Sequence, residues 1–398
     1  MQGVLCYNKI MKKFFSLLVS VLAAAVVFIG LRMLTIPTDL TLTQTYTLPV
    51  FPNLSEIITD HDNIKQAVAI DGQVAYSNQS TAQPTASTAK MLTALMVMEK
   101  KPFNLGETGG TITITPEFYQ QYLWYLNHNG SNAAVRVGEQ ISEYDAIAAA
   151  LLPSSNNFAD TLAIWAFGSL EAYRDYATTR LDEWGITDTV IGLDASGYSE
   201  TTTSTAADLA LIGQKVMENP VLAEIVGLKS RTIPVAGIIN NTNQLLGVDG
   251  IVGIKTGYIG DASGYCLISA YYLNDHIVTL AILNAPTRAA SFSVSQEIIE
   301  SLQANFNETR VVSAGEQVGY YDSWWTGQIP VTTTTDLSVL GWQDAPTTAV
   351  VNMNSDQTSG ELVISTNDTT YRAPVVSENL QFEPSFWQRF LYAINLMP

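Results

Sequence analysis

Ser87 and Lys90 are the first residues whose types and spacing suggest chemistry. They open the run STAKMLTALMVMEKK, and positions i and i+3 of a helix share a face. The Lys90 ammonium can therefore reach the Ser87 hydroxyl, which needs an adjacent base to act as a nucleophile at neutral pH. The rest of the segment (Met91, Leu92, Leu95, Met96, Val97, Met98) is apolar on nearly every side, as in a helix buried at a domain centre. A lysine at the start of such a helix is partly desolvated, which disfavours its charged form and suits a base. The helix N-terminus adds unpaired N–H groups and a positive dipole end where negative charge would develop. Alone, S-x-x-K is also the pattern of a helix cap followed by a solvated lysine.

Two companions lie downstream. Ser154 and Asn156 stand in the loop SSNN, after a helical segment that stops at Pro153. A hydroxyl and an amide there can relay a proton and hydrogen-bond a peptide-like substrate. Ser155 and Asn157 meet the same S-x-N spacing, so the register stays open. Lys255-Thr256-Gly257 falls in the strand-like run IVGIKTGYI. Its lysine and threonine suit a substrate carboxylate, and glycine lets the backbone come close to the substrate. The alternative is an edge strand that carries a lysine to discourage aggregation. A nucleotide-binding P-loop fails, because it needs glycine directly before the lysine and Ile254 is there.

Composition narrows the classes. Net charge is −18 and charged residues are 14%, which argues against nucleic acid or an anionic membrane surface as partner. The two cysteines, Cys6 and Cys266, have no CxxC or Cys/His ligand spacing, and His61, His128 and His276 are scattered without HExxH. A zinc enzyme or a histidine triad is a poor fit.

The elements that must position these groups follow in order. Lys9, Lys12 and Lys13 precede an uncharged stretch over residues 14–31, just long enough to span a bilayer. The basic flank places the N-terminus in the cytoplasm and the rest outside. An uncleaved signal anchor is favoured over a signal peptide cleaved near Ala23-Ala24-Ala25, and Met11 is an alternative start. Residues 35–54, rich in Thr and Pro, read as an extended linker. QAVAI and QVAYS around Asp71-Gly72 predict a β-hairpin. Helices are expected over ISEYDAIAAALLP and DTLAIWAFGSLEAYRDYATTRLDEWG, and another begins at the capped STAAD of 204–208. Three strand runs from residue 251 and a closing helix complete an antiparallel sheet flanked by helices, an α+β domain over 55–307. A small all-β domain is expected over 308–380, then an aromatic terminal helix over 381–398 with Ser385 as its cap. That helix packs on the protein or lies at a membrane interface. The letters DASGY occur at 194–198 and again at 261–265, without the regular period of a repeat fold.

S-x-x-K, S-x-N and K-T-G in this order resemble the D-alanyl-D-alanine carboxypeptidases, the low-molecular-mass penicillin-binding proteins. The resemblance runs over about 60–305 and includes PTASTAKMLTA, LLPSSNNFAD, LDASGYSE with STAADL, and NTNQLLG before GIKTGY. It implies that Ser87 attacks the bond between the terminal D-alanines of a peptidoglycan stem peptide, with Lys90 taking the proton. Ser154 and Asn156 would complete the relay and hold the substrate amide. Lys255 and Thr256 would bind the terminal carboxylate, and Gly257 would let the strand run alongside the peptide. The N–H groups of Ser87 and Tyr258 would form an oxyanion hole. The resemblance also implies β-lactams as covalent inhibitors, an extracytoplasmic site at the cell membrane, and no metal or cofactor. Two positions depart from the family pattern: Asn157 follows S-x-N where an acid is common, and Gln83-Pro84-Thr85-Ala86 lacks a nearby basic residue. The alternatives are a class A-like β-lactamase, for which no E-x-x-L-N pattern lies between Ser154 and Lys255, and a non-catalytic cell-wall binding protein.

Overall fold

The computed structural model describes residues 2–274, 276–366, 369–378 and 383–395. Asp275, residues 367–368 and 379–380 of the expected β domain, residues 381–382 and 396–398 of the expected terminal helix, and the Cys6 side chain lie outside the described residues. The chain divides into two compact units, one of residues 51–307 with 341–346, the other of 1–50, 308–340 and 347–398.

The first unit is built on a sheet that begins with β1 (Lys65–Ile70) and β2 (Gln73–Ser77). Ile70 pairs with Gln73, and the two residues between them, Asp71 and Gly72, both have positive φ (47° and 81°). Two consecutive left-handed residues match the right-handed twist of a tight hairpin, so the D-G signal is borne out. The chain then forms α1 (Ala89–Lys100), α2 (Pro116–Asn127), α3 (Glu143–Leu151), α4 (Asn156–Phe167), α5 (Leu170–Glu183) and α6 (Ala206–Glu218). Ser142 caps α3 and Thr205 caps α6, each accepting a backbone N–H three residues on, as N-cap hydroxyls do. It returns to the sheet as β3 (Gly253–Gly257), β4 (Tyr265–Leu273) and β5 (His276–Ala285), and closes with α7 (Arg288–Asn305).

The strand order is β3-β4-β5-β1-β2, antiparallel throughout. Helices cover both faces. Ala270 faces Thr279 across β4 and β5, and Ser269 faces Leu280; neighbouring residues of a strand point to opposite faces. The Thr279 hydroxyl donates to Ala210 O of α6, while the Ser269 hydroxyl meets Ser295 of α7 at 2.7 Å. The expected α+β sheet flanked by helices is therefore present. Every residue of α1 from Ala89 to Met98 is buried. That explains its apolar sequence, and it fixes the axis on which Lys90 is mounted.

The second unit holds a sheet ordered Thr41–Gln44, Gln317–Ser323, Gly327–Thr333, Thr369–Ser377, Ser359–Thr366, Thr347–Met353. Its first strand corrects the linker expected over 35–54. Thr41–Gln44 pairs antiparallel with 319–322, because the β-branched alternation of LTLTQ suits an edge strand. The N-terminal helix runs Gln2–Leu34, and its Tyr7–Leu34 portion is unburied and long and apolar enough to cross a membrane. The aromatic helix Phe386–Ala393 starts at Ser385, whose capping-box partner is Gln388. Arg32 Nη1 donates to Ala393 O at 3.1 Å and to Asn395 Oδ1 at 2.9 Å, so this helix ends against the N-terminal one.

Candidate active site

Ser87 does not sit inside α1 but on a short 3-10 turn, Ala86–Thr88, that feeds it. Ala86 has φ +48°, a left-handed conformation uncommon for a residue with a Cβ. Two glycines close on that strained peptide from either side. A Cβ at Gly197 would stand 2.0 Å from Ala86 O, and a Cβ at Gly257 would stand 3.1 Å from Ser87 N and Thr85 O. Gly257 thus serves first to let β3 pack against the Ser87 turn. That packing role is one the sequence did not show.

Lys90 is completely buried and makes three contacts through Nζ: Ser87 Oγ at 2.8 Å, Asn156 Oδ1 at 2.7 Å and Ser196 O at 2.7 Å. Burial pushes its pKa down to about 7, and the nearby carboxylates of Asp194 and Asp160 resist that fall. A neutral amine has two N–H bonds and one lone pair. Asn156 Oδ1 and Ser196 O can only accept, so they take both hydrogens and leave the lone pair for the Ser87 hydroxyl. The geometry is that of a base aimed at a nucleophile.

The loop Asp194–Ser199 holds Ser196 in place. Asp194 Oδ1 accepts from Ser196 N, Ser196 Oγ and Tyr198 N, and Oδ2 from Ser199 N. Burial would raise its pKa, but these hydrogen bonds outweigh that and hold it below the usual carboxylate range. The first DASGY is therefore part of the site, although its sequence reads as an ordinary turn.

The S-x-N register is resolved by the backbone. Ser154, at φ +66°, lines the cleft together with Ser87, Thr242, Thr256 and Arg288. Ser155 is fully buried, and its hydroxyl has no partner among the described residues. Asn157 is turned away, exchanging two hydrogen bonds with the Ala133 backbone. Asn156 is the one that reaches Lys90, and its Nδ2 lies beside Gly130 on the cleft wall.

Lys255 is 1% exposed, which removes the reading of a solvated edge lysine. Its Nζ donates to Thr256 O at 2.9 Å, and among the described residues no carboxylate pairs with it. Burial, then the proximity of Lys90, drives its pKa far down. Thr256 Oγ1 lies 2.7 Å from Thr242 Oγ1. Tyr258 is half-exposed and stacks on Tyr265. On the other side of Ser87 the cleft, about 410 Å3, runs past His128, Asn129, Tyr198 and Glu200. All eight residues expected from the sequence converge on this region. Sequence reasoning missed Ser196, Asp194, Asp160, Thr242 and Arg288. LDASGYSE, LLPSSNNFAD and NTNQLLG, quoted for their resemblance, contain Asp194, Ser196, Asp160 and Thr242 but gave them no role, and no quoted stretch reached Arg288.

The described residues contain no group of three or more His, Cys, Asp or Glu placed to hold a metal ion. Comparison with known proteins agrees with the chemistry of the cleft. The D-alanyl-D-alanine carboxypeptidase family, peptidase S11, matches residues 59–287, more than half of the chain. A D-alanyl-D-alanine endopeptidase of Escherichia coli is 26% identical over 225 residues, covering 54% of this chain and 67% of that protein. The D-alanyl-D-alanine carboxypeptidase DacB2 of Mycobacterium tuberculosis is 28% identical over 228 residues, covering 54% of this chain and 69% of its own. Among solved structures, the Streptomyces K15 DD-transpeptidase shares the fold with a TM-score of 0.56 at 22% identity, covering 62% of this chain and 99% of that one. The carboxypeptidase DacD of Francisella tularensis does so with a TM-score of 0.59 at 17% identity, covering 85% and 96%.

Proposed function

Since the chain belongs to the D-alanyl-D-alanine carboxypeptidase family, hydrolases that act on peptidoglycan peptides and bind β-lactams, we propose residue roles for that reaction in this cleft. Ser87 Oγ attacks the carbonyl between the two terminal D-alanines of a stem peptide as Lys90 Nζ takes its proton. The single observation that carries this reading is the Lys90 amine, buried and held by two obligate acceptors with its remaining valence on Ser87.

The Ser87 and Tyr258 N–H groups receive the oxyanion, where preorganised donors act without reorganisation. The carbon–nitrogen bond breaks, the proton passes from Lys90 by way of Ser154 to the leaving amine, and D-alanine departs. Asn156 holds the substrate amide. Water then attacks the ester, giving its proton to Lys90, which passes it to Ser87 Oγ as the ester bond breaks and the shortened peptide leaves. Lys255, Thr256 and Arg288 bind the terminal carboxylate on the Ser154 side, and the acyl portion extends toward His128 and Tyr198. A β-lactam is attacked by the same hydroxyl and remains as the opened-ring ester. The N-terminal helix anchors the chain with its basic end in the cytoplasm and the cleft outside.

Lys255 supplies the test of exopeptidase specificity. A bound carboxylate favours the charged form of Lys255 that burial alone disfavours, and the resulting charge-assisted hydrogen bond is worth roughly 1.5–3 kcal/mol, or about 10- to 100-fold in rate. Lys255→Ala should lose that factor in kcat/KM on a stem peptide ending in a free carboxylate, and far less on the C-terminal amide. Equal losses on both substrates would remove the carboxylate role and turn the reading toward internal cleavage.

A further inference from the structure

We propose that Asp160 is a positioning residue of this reaction, a buried carboxyl that braces the loops around Lys90 and acts on that base through them and through its charge. The proposal rests on the reading of Lys90 as the base.

Asp160 lies one turn beyond Asn156 on α4 and is 3% exposed. A carboxyl in the interior is costly unless it is hydrogen-bonded, and here two elements supply three donors. Tyr125 Oη donates to Oδ2 at 2.6 Å and Gln121 Nε2 to the same oxygen at 3.1 Å, both from α2. The backbone N–H of Ala195 donates to Oδ1 at 2.9 Å. Ala195 directly precedes Ser196, whose carbonyl accepts from Lys90, and the Tyr125 hydroxyl stands 3.4 Å from Ser196 Oγ. One carboxyl therefore ties α2, α4 and the Asp194–Ser199 loop to the lysine.

Burial raises the Asp160 pKa to about 7; the Tyr125 and Ala195 hydrogen bonds and the Lys90 charge work against that rise, and Asp194 adds to it. Lys90 in turn feels Asp160 and Asp194 as anions that resist its deprotonation. Lys255 on β3 opposes the Lys90 charge, while Tyr125 on α2 and Tyr173 on α5 face the Asp160 and Asp194 carboxylates. Asp194 is committed to capping its own loop. Asp160 is thus the carboxyl whose titration overlaps that of the base.

Asp160→Asn removes the charge and keeps an oxygen for the Ala195 N–H, and the Tyr125 hydroxyl can turn to accept from the new amide. Without that anion, Lys90 loses its proton at lower pH. The measurement is the pH profile of second-order acylation by a chromogenic penicillin, in which the acid limb reports the free enzyme's base. The wild-type midpoint is expected near the Lys90 value of about 7. In Asp160→Asn it should fall by a few tenths of a unit, well under the shift of roughly 1–3 units that a permanently charged partner would give, because Asp160 takes up a proton in the same range. The gain should be confined to the range near neutrality where Asp160 is ionised and vanish by pH 5.5, where its carboxyl is neutral in the wild type as well. Tyr125→Phe, which withdraws a donor from the Asp160 charge, should move the limb the same way by less, and it keeps the test open if Asp160→Asn folds poorly. A lowered plateau with an unmoved limb in both variants makes Asp160 a brace only and overturns the proposal. A wild-type profile with no acid limb would instead sink the reading of Lys90.

Discussion

Replacing Lys90 with methionine tests the base through stability as well as through rate. The lysine's folded pKa of about 7 lies below the ordinary 10.5. Between those values the unfolded chain holds a proton that the native protein has shed, so stability rises with pH across that window and is flat below it. From pH 7 to 9 the native amine goes from half-protonated to neutral while the unfolded one stays charged. At 1.36 kcal/mol per unit, this gives the wild type about 2 kcal/mol that Lys90→Met cannot gain. Asp160 acts in the same direction: without the nearby cation its carboxyl titrates later in the variant and destabilises it over the same range. The variant also leaves Asn156 Oδ1 and Ser196 O without their donor, at about 1–3 kcal/mol each, but that cost does not depend on pH. The slope, not the absolute difference, carries the test. Urea unfolding of both proteins in detergent at pH 7, 8 and 9, followed by tryptophan fluorescence, measures it. A wild-type-minus-variant difference that stays level would mean that Lys90 keeps its proton, and the base assignment would be wrong.

Other outcomes follow from particular contacts. Gly257→Ala places a Cβ 3.1 Å from Ala86 Cβ, Ser87 N and Thr85 O, so β3 or the Ser87 turn must shift by a few tenths of an ångström. Stability should drop by about 1–3 kcal/mol and penicillin acylation roughly tenfold, since small misplacements at reacting atoms are costly; unchanged acylation would show that the contact is slack. Deleting residues 1–34 should release an active protein from the membrane fraction, whereas deleting 384–398 should leave it bound. The reverse pattern would give the anchor to the aromatic helix.

What could be read from the sequence was chemistry carried by short local spacing. Ser87 and Lys90 are one helical turn apart, the D-G hairpin is a two-residue device, and the strand runs after residue 251 alternate with clear turns. Each is decided by neighbours in the chain. The missed residues act through space. Asp160 reads as one polar position in an apolar helix until Tyr125, 35 residues earlier, and Ala195, 35 residues later, are seen to meet it. Ser154 and Ser155 are equivalent as letters, and only a left-handed backbone at Ser154 separates the residue facing the cleft from the one buried behind it. Gly257 was legible as a glycine that something must approach; that the visitor is the backbone of Thr85–Ser87 was not. Thr41–Gln44 looked like tether because an edge strand needs its partner, 275 residues or more away, to be recognised as a strand.

The claim at the centre is that Ser87 forms the acyl-enzyme. Intact-protein mass spectrometry after exposure to benzylpenicillin, followed by peptide mapping, tests it directly. The wild type should gain the mass of one whole penicillin, because ring opening expels nothing, and the adduct should map to the peptide containing Ser87. Ser87→Ala should gain no mass and release no D-alanine from a stem peptide while melting at a temperature close to that of the wild type. An adduct on another residue, or one that survives in Ser87→Ala, would contradict the account.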